Sequence, residues 1–220
     1  GAFIQQYSST VADQFVHFGD KADKPADYIA NKEGWDGVLA NGDPQYAMSA
    51  QAVDGAIKLT SANANLNTRK EDNGIILYKE LEGDFLVQTK VVALDGQAEH
   101  RTPAYNEGGL IVLDDSGNRG QEIIHIGVFP NYNCGNMLTH VRGYSRPQYP
   151  RGNGWNYDPY LQIERTGDIF TIRTSQDGKS WTDMPGSPIN APQLNGKKLK
   201  VGLYQTTYTD NKSWVSFDEF

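Results

Sequence analysis

A chain of 220 residues with 38% hydrophobic content, 11% aromatic content and 23 glycines can bury a sizeable core, which excludes a disordered polymer. A formal charge of −7 with no basic stripe excludes the electrostatic footprint of nucleic-acid or anionic-membrane binding. The single cysteine, Cys134, excludes an internal disulfide and a multi-cysteine zinc site, and no apolar run approaches the roughly 18 residues of a membrane-spanning helix.

All-β sandwiches commonly run to about 200–250 residues as one unit, so residues 1–220 are expected to form one domain. Gly1 opens a short lead-in without a charged-then-apolar leader. The expectation is an extracytoplasmic protein, secreted, periplasmic or on the cell surface, whose signal peptide has been removed.

Along the chain, residues 20–54 resist strand assignment and read as a long connection. Apolar alternation with a period of two then predicts strands at 56–60, 75–79, 85–94, 109–113, 122–129 and 137–142. A second connection, 144–159, precedes predicted strands at 160–165, 169–175, 199–206 and 214–220. Thr166-Gly167-Asp168 and Asp177-Gly178 supply the turn chemistry of consecutive hairpins. Ten strands without intervening helices imply an all-β fold of two stacked antiparallel sheets, or a barrel.

Several segments resemble the concanavalin A-like β-sandwich found as the C-terminal module of family 43 glycoside hydrolases and in related stand-alone domains. Asp13-Gln14-Phe15 with Trp35 is similar to that family's opening segment, and Gly83-Asp84-Phe85-Leu86-Val87 to its Gly-Asp-Phe strand start. Asn106-Glu107-Gly108-Gly109-Leu110-Ile111-Val112 resembles the central strand. The run from Tyr160 to Arg165, through Gly167 and Phe170 to Ser175-Gln176-Asp177-Gly178-Lys179-Ser180-Trp181, resembles two consecutive hairpin strands ending in Ser-x-Asp-Gly-x-x-Trp. Val201-Gly202-Leu203-Tyr204 and Phe217-Asp218-Glu219-Phe220 resemble the last two strands. The resemblance implies a two-sheet antiparallel jelly-roll sandwich that handles polysaccharide. Fold alone does not deliver function.

The connection before Tyr160 is rich in rings. Tyr144, Tyr149, Trp155, Tyr157 and Tyr160, with Arg142 and Arg151 as planar donors, are the candidate glycan-binding set, because a sugar offers an apolar ring face edged with hydroxyls. The alternatives are that Trp155 and Tyr160 plug the end of the sandwich, or that the loop meets a protein partner.

Enzymatic candidates are fewer. A two-carboxylate glycosidase needs acids flanking the scissile bond, and laminarinase-like sandwiches place them as Glu-x-Asp-x-x-Glu. Here Glu122-Ile123-Ile124-His125-Ile126 departs from that pattern, leaving Glu107 and Glu122, with Asp114 and Asp115, as an acidic set. In the strand 122–129, alternation sets His125 on the face away from the core. If the next strand pairs across the 131–136 loop, His140 and Arg142 would join it there. With Tyr144, these would be the base and neutralising cation of a lyase. The leading expectation is non-catalytic carbohydrate binding, with a glycoside hydrolase or polysaccharide lyase as the alternative. No cofactor is expected beyond a structural calcium ion, for which the terminal acids Asp13 and Asp218 are the candidates.

Overall fold

The computed structural model describes residues 3–4, 15–17, 35–40, 49–53, 56–61, 74–103, 105–114, 122–207 and 212–218. The elements are β1 (Phe3–Ile4), β2 (Phe15–His17), β3 (Gly37–Ala40), β4 (Ser49–Val53), β5 (Ala56–Ser61), β6 (Ile75–Leu81), β7 (Phe85–Leu94), β8 (Glu107–Asp114) and β9 (Glu122–Phe129). After a 3₁₀ turn at Asn131–Asn133 come β10 (Gly135–Arg142), β11 (Gln148–Arg151), β12 (Tyr160–Thr166), β13 (Ile169–Ser175), β14 (Thr182–Asp183) and β15 (Ile189–Asn190). A second such turn, Pro192–Leu194, leads into β16 (Leu199–Thr206) and β17 (Ser213–Asp218).

Two antiparallel sheets stack as a jelly roll. The first runs β14-β13-β12-β7-β17-β5-β4-β2, with β1 added to β7 and β15 to β13; the second runs β11-β10-β9-β8-β16-β6-β3. In the first sheet, β5, β7 and β13 alternate buried and partly exposed residues. Each has one face on the core and one toward water.

The second sheet is different. Every residue of β8 and β9 is buried, so these strands are covered on both faces. Leu110, Val112, Ile124, Ile126, Val128, Leu138, Val201 and Leu203 point inward and pack against Val87, Leu161, Ile163, Phe170, Ile172, Val215 and Phe217 of the first sheet. On the outward side, Ile76, Tyr78, Ile111, Leu113, Ile123, Val141 and Tyr204 form a second apolar cluster.

All ten predicted strands form, but 20–54 is not strand-free. β3 and β4 lie within it, each a short segment paired to a longer predicted strand, β6 and β5 respectively. The second connection likewise holds β11, paired to the outer edge of β10.

Arg165 closes the far end of the sandwich. It is 2% exposed and donates from Nε to the Gly167 carbonyl (2.9 Å), from Nη1 to Lys197 O (2.9 Å) and from Nη2 to Leu194 O (2.6 Å). One guanidinium therefore joins the β12–β13 turn to the segment leading into β16.

Candidate functional site

The outward face of the second sheet carries a buried polar network at the edge of a cleft. Its geometry follows from three neighbouring strands and two glycines. Tyr204 on β16 stands opposite Gly109 on β8, which stands opposite Gly127 on β9. With no side chain on either glycine, the Tyr204 ring lies across both strands toward His125, the ring centroids 4.7 Å apart. A Cβ on Gly127 would stand 2.3 Å from the Tyr204 hydroxyl, so that close approach requires glycine.

The Tyr204 hydroxyl donates to Glu107 Oε1 at 2.5 Å. His125 Nδ1 lies 2.9 Å from the same hydroxyl and 3.0 Å from Glu107 Oε1. Since the hydroxyl proton is engaged and a carboxylate oxygen only accepts, the geometry puts the imidazole proton on Nδ1. Burial first, then the Glu107 charge and the hydrogen bond to it, push the Tyr204 pKa well above the ordinary tyrosine value, so the phenol keeps its proton and remains a donor. His125 and Tyr204 are each 0% exposed, whereas Glu107 borders an open cleft.

That cleft has a volume of about 310 Å³ and is lined by Tyr105, Glu107, Phe129, Met137, Arg146, Gln148 and Thr206. Both contacts within the network fall on Glu107 Oε1. The carboxylate is thereby held from behind, with Oε2 left as the acceptor for whatever enters.

An aromatic rim stands beside it. Tyr105 is 39% exposed and stacks on Phe129 with centroids 6.0 Å apart and planes 21° apart. Tyr132, 72% exposed, adds its ring 5.4 Å from Tyr105, and the two hydroxyls are 3.3 Å apart. Tyr105 (φ 60°) and Tyr132 (φ 56°) both sit in the left-handed region. Bulky residues seldom adopt it, and such outliers gather where a side chain must be aimed.

The residues singled out by sequence fall into separate groups: His140, Arg142 and Tyr149 line one recess of about 260 Å³, and Trp155 and Tyr157 line another of about 390 Å³. Pairing sets His125 opposite Thr139 and puts His140 opposite Ile124, so His140 and Arg142 lie on the face opposite to His125, and the shared His–His–Arg face does not form. The reason is the tight 3₁₀ turn, which starts β10 at Gly135 opposite Phe129; a register displaced by one residue would have reversed every side chain. His140 instead faces Glu122, Nε2 to Oε2 at 3.6 Å, on the inward side at the sandwich mouth. Glu107 and Glu122 are thus on opposite faces of one sheet and cannot flank one bond. Asp114 is paired with Lys197 at 2.9 Å, and Asp115 lies outside the described residues.

The ring-rich segment is split in the same way. Tyr144, 87% exposed, is at the turn after Arg142, itself exposed, whereas Trp155, Tyr157 and Tyr160 are near the Gly135 end of β10. The two groups are separated by an eight-residue strand, roughly 25 Å. Tyr149 packs half-buried on the main core. Arg151 is held by Thr174 Oγ1 (2.6 Å), the Asp183 carbonyl (2.5 Å) and Asp158 (3.5 Å). Trp155 packs against the main core and stacks on His100 at 5.2 Å, and Tyr160 sits beneath Lys90. Asp218 ends β17 opposite Lys90, and Asp13 lies outside the described residues; among the described residues no three His, Cys, Asp or Glu converge on a metal-sized site.

Tyr157 is 9% exposed and donates to Gln97 Oε1 at 3.2 Å. Burial pushes its pKa from 10.0 up to about 12. The folded state therefore prefers the neutral phenol, and this stabilisation is complete below about pH 10 and lost as pH rises through about 12. Thermal melts are expected to show Tyr157→Phe losing less stability than the parent across that window; equal losses would contradict the assignment.

The missed residues are Tyr105, Tyr132 and Tyr204, whereas Arg146 and Gln148 lie in the ring-rich connection read from sequence. Strand-interior glycines at 109 and 127 were the available signal for Tyr204, since glycine in a strand marks a close approach.

No protein-family model matches the chain, and no curated protein sequence matches it. Solved structures do. A functionally unknown protein from Saccharomyces cerevisiae superposes with a TM-score of 0.59 at 18% identity, covering 83% of this chain and 92% of that one. A mutant of the GH43 protein BlXynB from Bacillus licheniformis gives 0.56 at 13% identity over 82% of this chain and 37% of that one. A xylan β-1,4-xylosidase from Bacillus halodurans C-125 gives 0.50 at 14% identity over 74% of this chain and 32% of that one. The chain spans about a third of the length of those two bacillar proteins. Together with the sheet order, these likenesses identify the fold as a concanavalin A-like jelly-roll sandwich resembling the modules of GH43 proteins.

Proposed function

We propose that this protein binds carbohydrate without turning it over, in the cleft beside Glu107. The observation that carries the reading is the exposed Tyr105–Tyr132 pair standing over a cleft whose floor presents a braced carboxylate. Flat rings suit the apolar face of a pyranose, and Glu107, Arg146, Gln148 and Thr206 offer acceptors and donors to its hydroxyls.

The chemistry of hydrolysis favours binding over turnover. Acid–base hydrolysis of a glycosidic bond calls for two carboxyl groups about 5–5.5 Å or 6.5–9.5 Å apart. Glu107 is the one carboxylate among the described residues lining the cleft, and Tyr204 and His125 are sealed behind it. Binding of polysaccharide would place the protein outside the cytoplasm.

Tyr105→Ala is expected to weaken glycan binding by about 1–3 kcal/mol, as loss of an aromatic anchor does. Calorimetry against the best glycan from an array measures this, and chromatography of the same mixture tests for turnover. Unchanged affinity in that variant would remove the cleft from the reading, and released product would replace binding by catalysis.

A further inference from the structure

The cleft beside Glu107 is closed on two sides. Along the strands, the row Tyr204–Gly109–Gly127–Met137 follows two residues, about 7 Å, beyond the Glu107 row, and the row Gly202–Ile111–His125–Thr139 lies two residues further; Tyr204, Ile111, His125 and Thr139 are each 0% exposed. Beyond these, Ile123 and Val141 are 1% exposed. Across the strands, Thr206 is 4% exposed, and Ile76 on the adjoining β6 is 3% exposed. The sheet face therefore offers no continuous trough past either limit.

The remaining sides are open. Arg146, Gln148 and Pro150 at the β11 edge are exposed, and so are the Tyr105 and Tyr132 rings at the loop rim. A polymer held by its middle must enter and leave on opposed sides of its binding groove. In this cleft each open side faces a closed one: the β11 edge faces Thr206 across the strands, and the loop rim faces the Tyr204–His125 wall along them. Its 310 Å³ lies at the lower limit of ligand pockets, room for roughly one or two sugar rings.

We infer that the cleft receives the terminus of a glycan chain, one or two residues deep, and not an internal stretch; this rests on the carbohydrate-binding reading above. The terminal ring presents its hydroxyls to Glu107 Oε2 while the rest of the chain leaves past Gln148 and Pro150. Contacts made by the third and later sugars fall outside the cleft and add little.

The test is a titration of the full chain against array-printed and soluble ladders of xylo-, gluco-, manno- and galacto-oligosaccharides, one to six units long, together with cyclic glucans that have no terminus. The expected result is affinity that rises to the dimer, stays within about threefold from dimer to hexamer, and is absent for the cyclic forms. Glu107→Gln is expected to weaken every length by the same factor, about tenfold or more. Affinity climbing stepwise to the hexamer, or firm binding of a cyclic glucan, overturns terminal recognition and leaves carbohydrate binding standing. Failure of every ladder on the correctly folded protein overturns both.

Discussion

Arg165→Ala is expected to lower the free energy of unfolding by about 3–5 kcal/mol, since it removes a buried guanidinium that donates to three backbone carbonyls, the bond to Leu194 O being itself buried. The carbonyls of Gly167, Leu194 and Lys197 converge on this one side chain, the Leu194 carbonyl also accepting from the Lys197 N–H at 3.1 Å. The guanidinium also covers the Phe170 ring from 5.6 Å, so truncation opens a gap above a fully buried aromatic. Burial pulls the Arg165 pKa below its ordinary value, with the Asp84 charge opposing that shift. The cost of desolvating the cation is offset by the carbonyl dipoles around it. Arg165→Lys should fall in between, because an ammonium cannot reproduce the fork that reaches three acceptors. At about 2–4 °C per kcal/mol for a domain of this size, calorimetry should record a drop on the order of 10 °C for the alanine variant. A drop within about 1 kcal/mol of zero in urea titration would mean that water replaces the guanidinium without penalty.

The strands that sequence reading recovered are those whose side chains report their burial. β7 and β13 alternate because one face meets the core, and β8 and β9 carry near-continuous aliphatic runs because both faces are covered. The strands it passed over are short pieces at or next to a sheet edge whose residues are set by pairing with a neighbour. β11 reads Gln148-Tyr149-Pro150-Arg151, with a proline that only an edge strand tolerates, and β14 is two exposed residues. Nothing in such segments alternates long enough to be seen.

Register explains what was lost at the site. The face of β9 bearing His125 was legible from alternation, but its partner residue depended on the length of one turn, and an error of one position carried His140 and Arg142 to the wrong side. The Tyr105–Tyr132 pair was illegible for another reason. Its members are 27 positions apart, in loops at the ends of different strands, and only the pairing of β8 with β9 brings them together. Glu107 was visible as a carboxylate just ahead of a predicted strand; its brace was not, because Tyr204 comes from β16, which is distant in sequence and meets β8 only by pairing.

Gly127→Ala is the sharpest probe of that brace, with an expected cost of about 2–4 kcal/mol in stability and a parallel loss of glycan affinity. The added methyl would lie 2.3 Å from the Tyr204 hydroxyl, 2.9 Å from the Gly108 carbonyl and 3.0 Å from Glu107 Cγ. The first contact is the severe one, and it is made by an atom that can be deleted. Tyr204→Phe removes that hydroxyl and by itself leaves His125 Nδ1 and Glu107 Oε1 short of one partner, a cost of about 1–3 kcal/mol. Combined, the two changes should cost less than their sum by about 1–2 kcal/mol, because the methyl then occupies space the hydroxyl has vacated. Additive losses in a double-mutant cycle would show that the glycine is needed for the backbone approach to Gly108 and not for the tyrosine. In that case Glu107 would be held by its own strand, and the tyrosine hydroxyl would cease to be what points the carboxylate into the cleft.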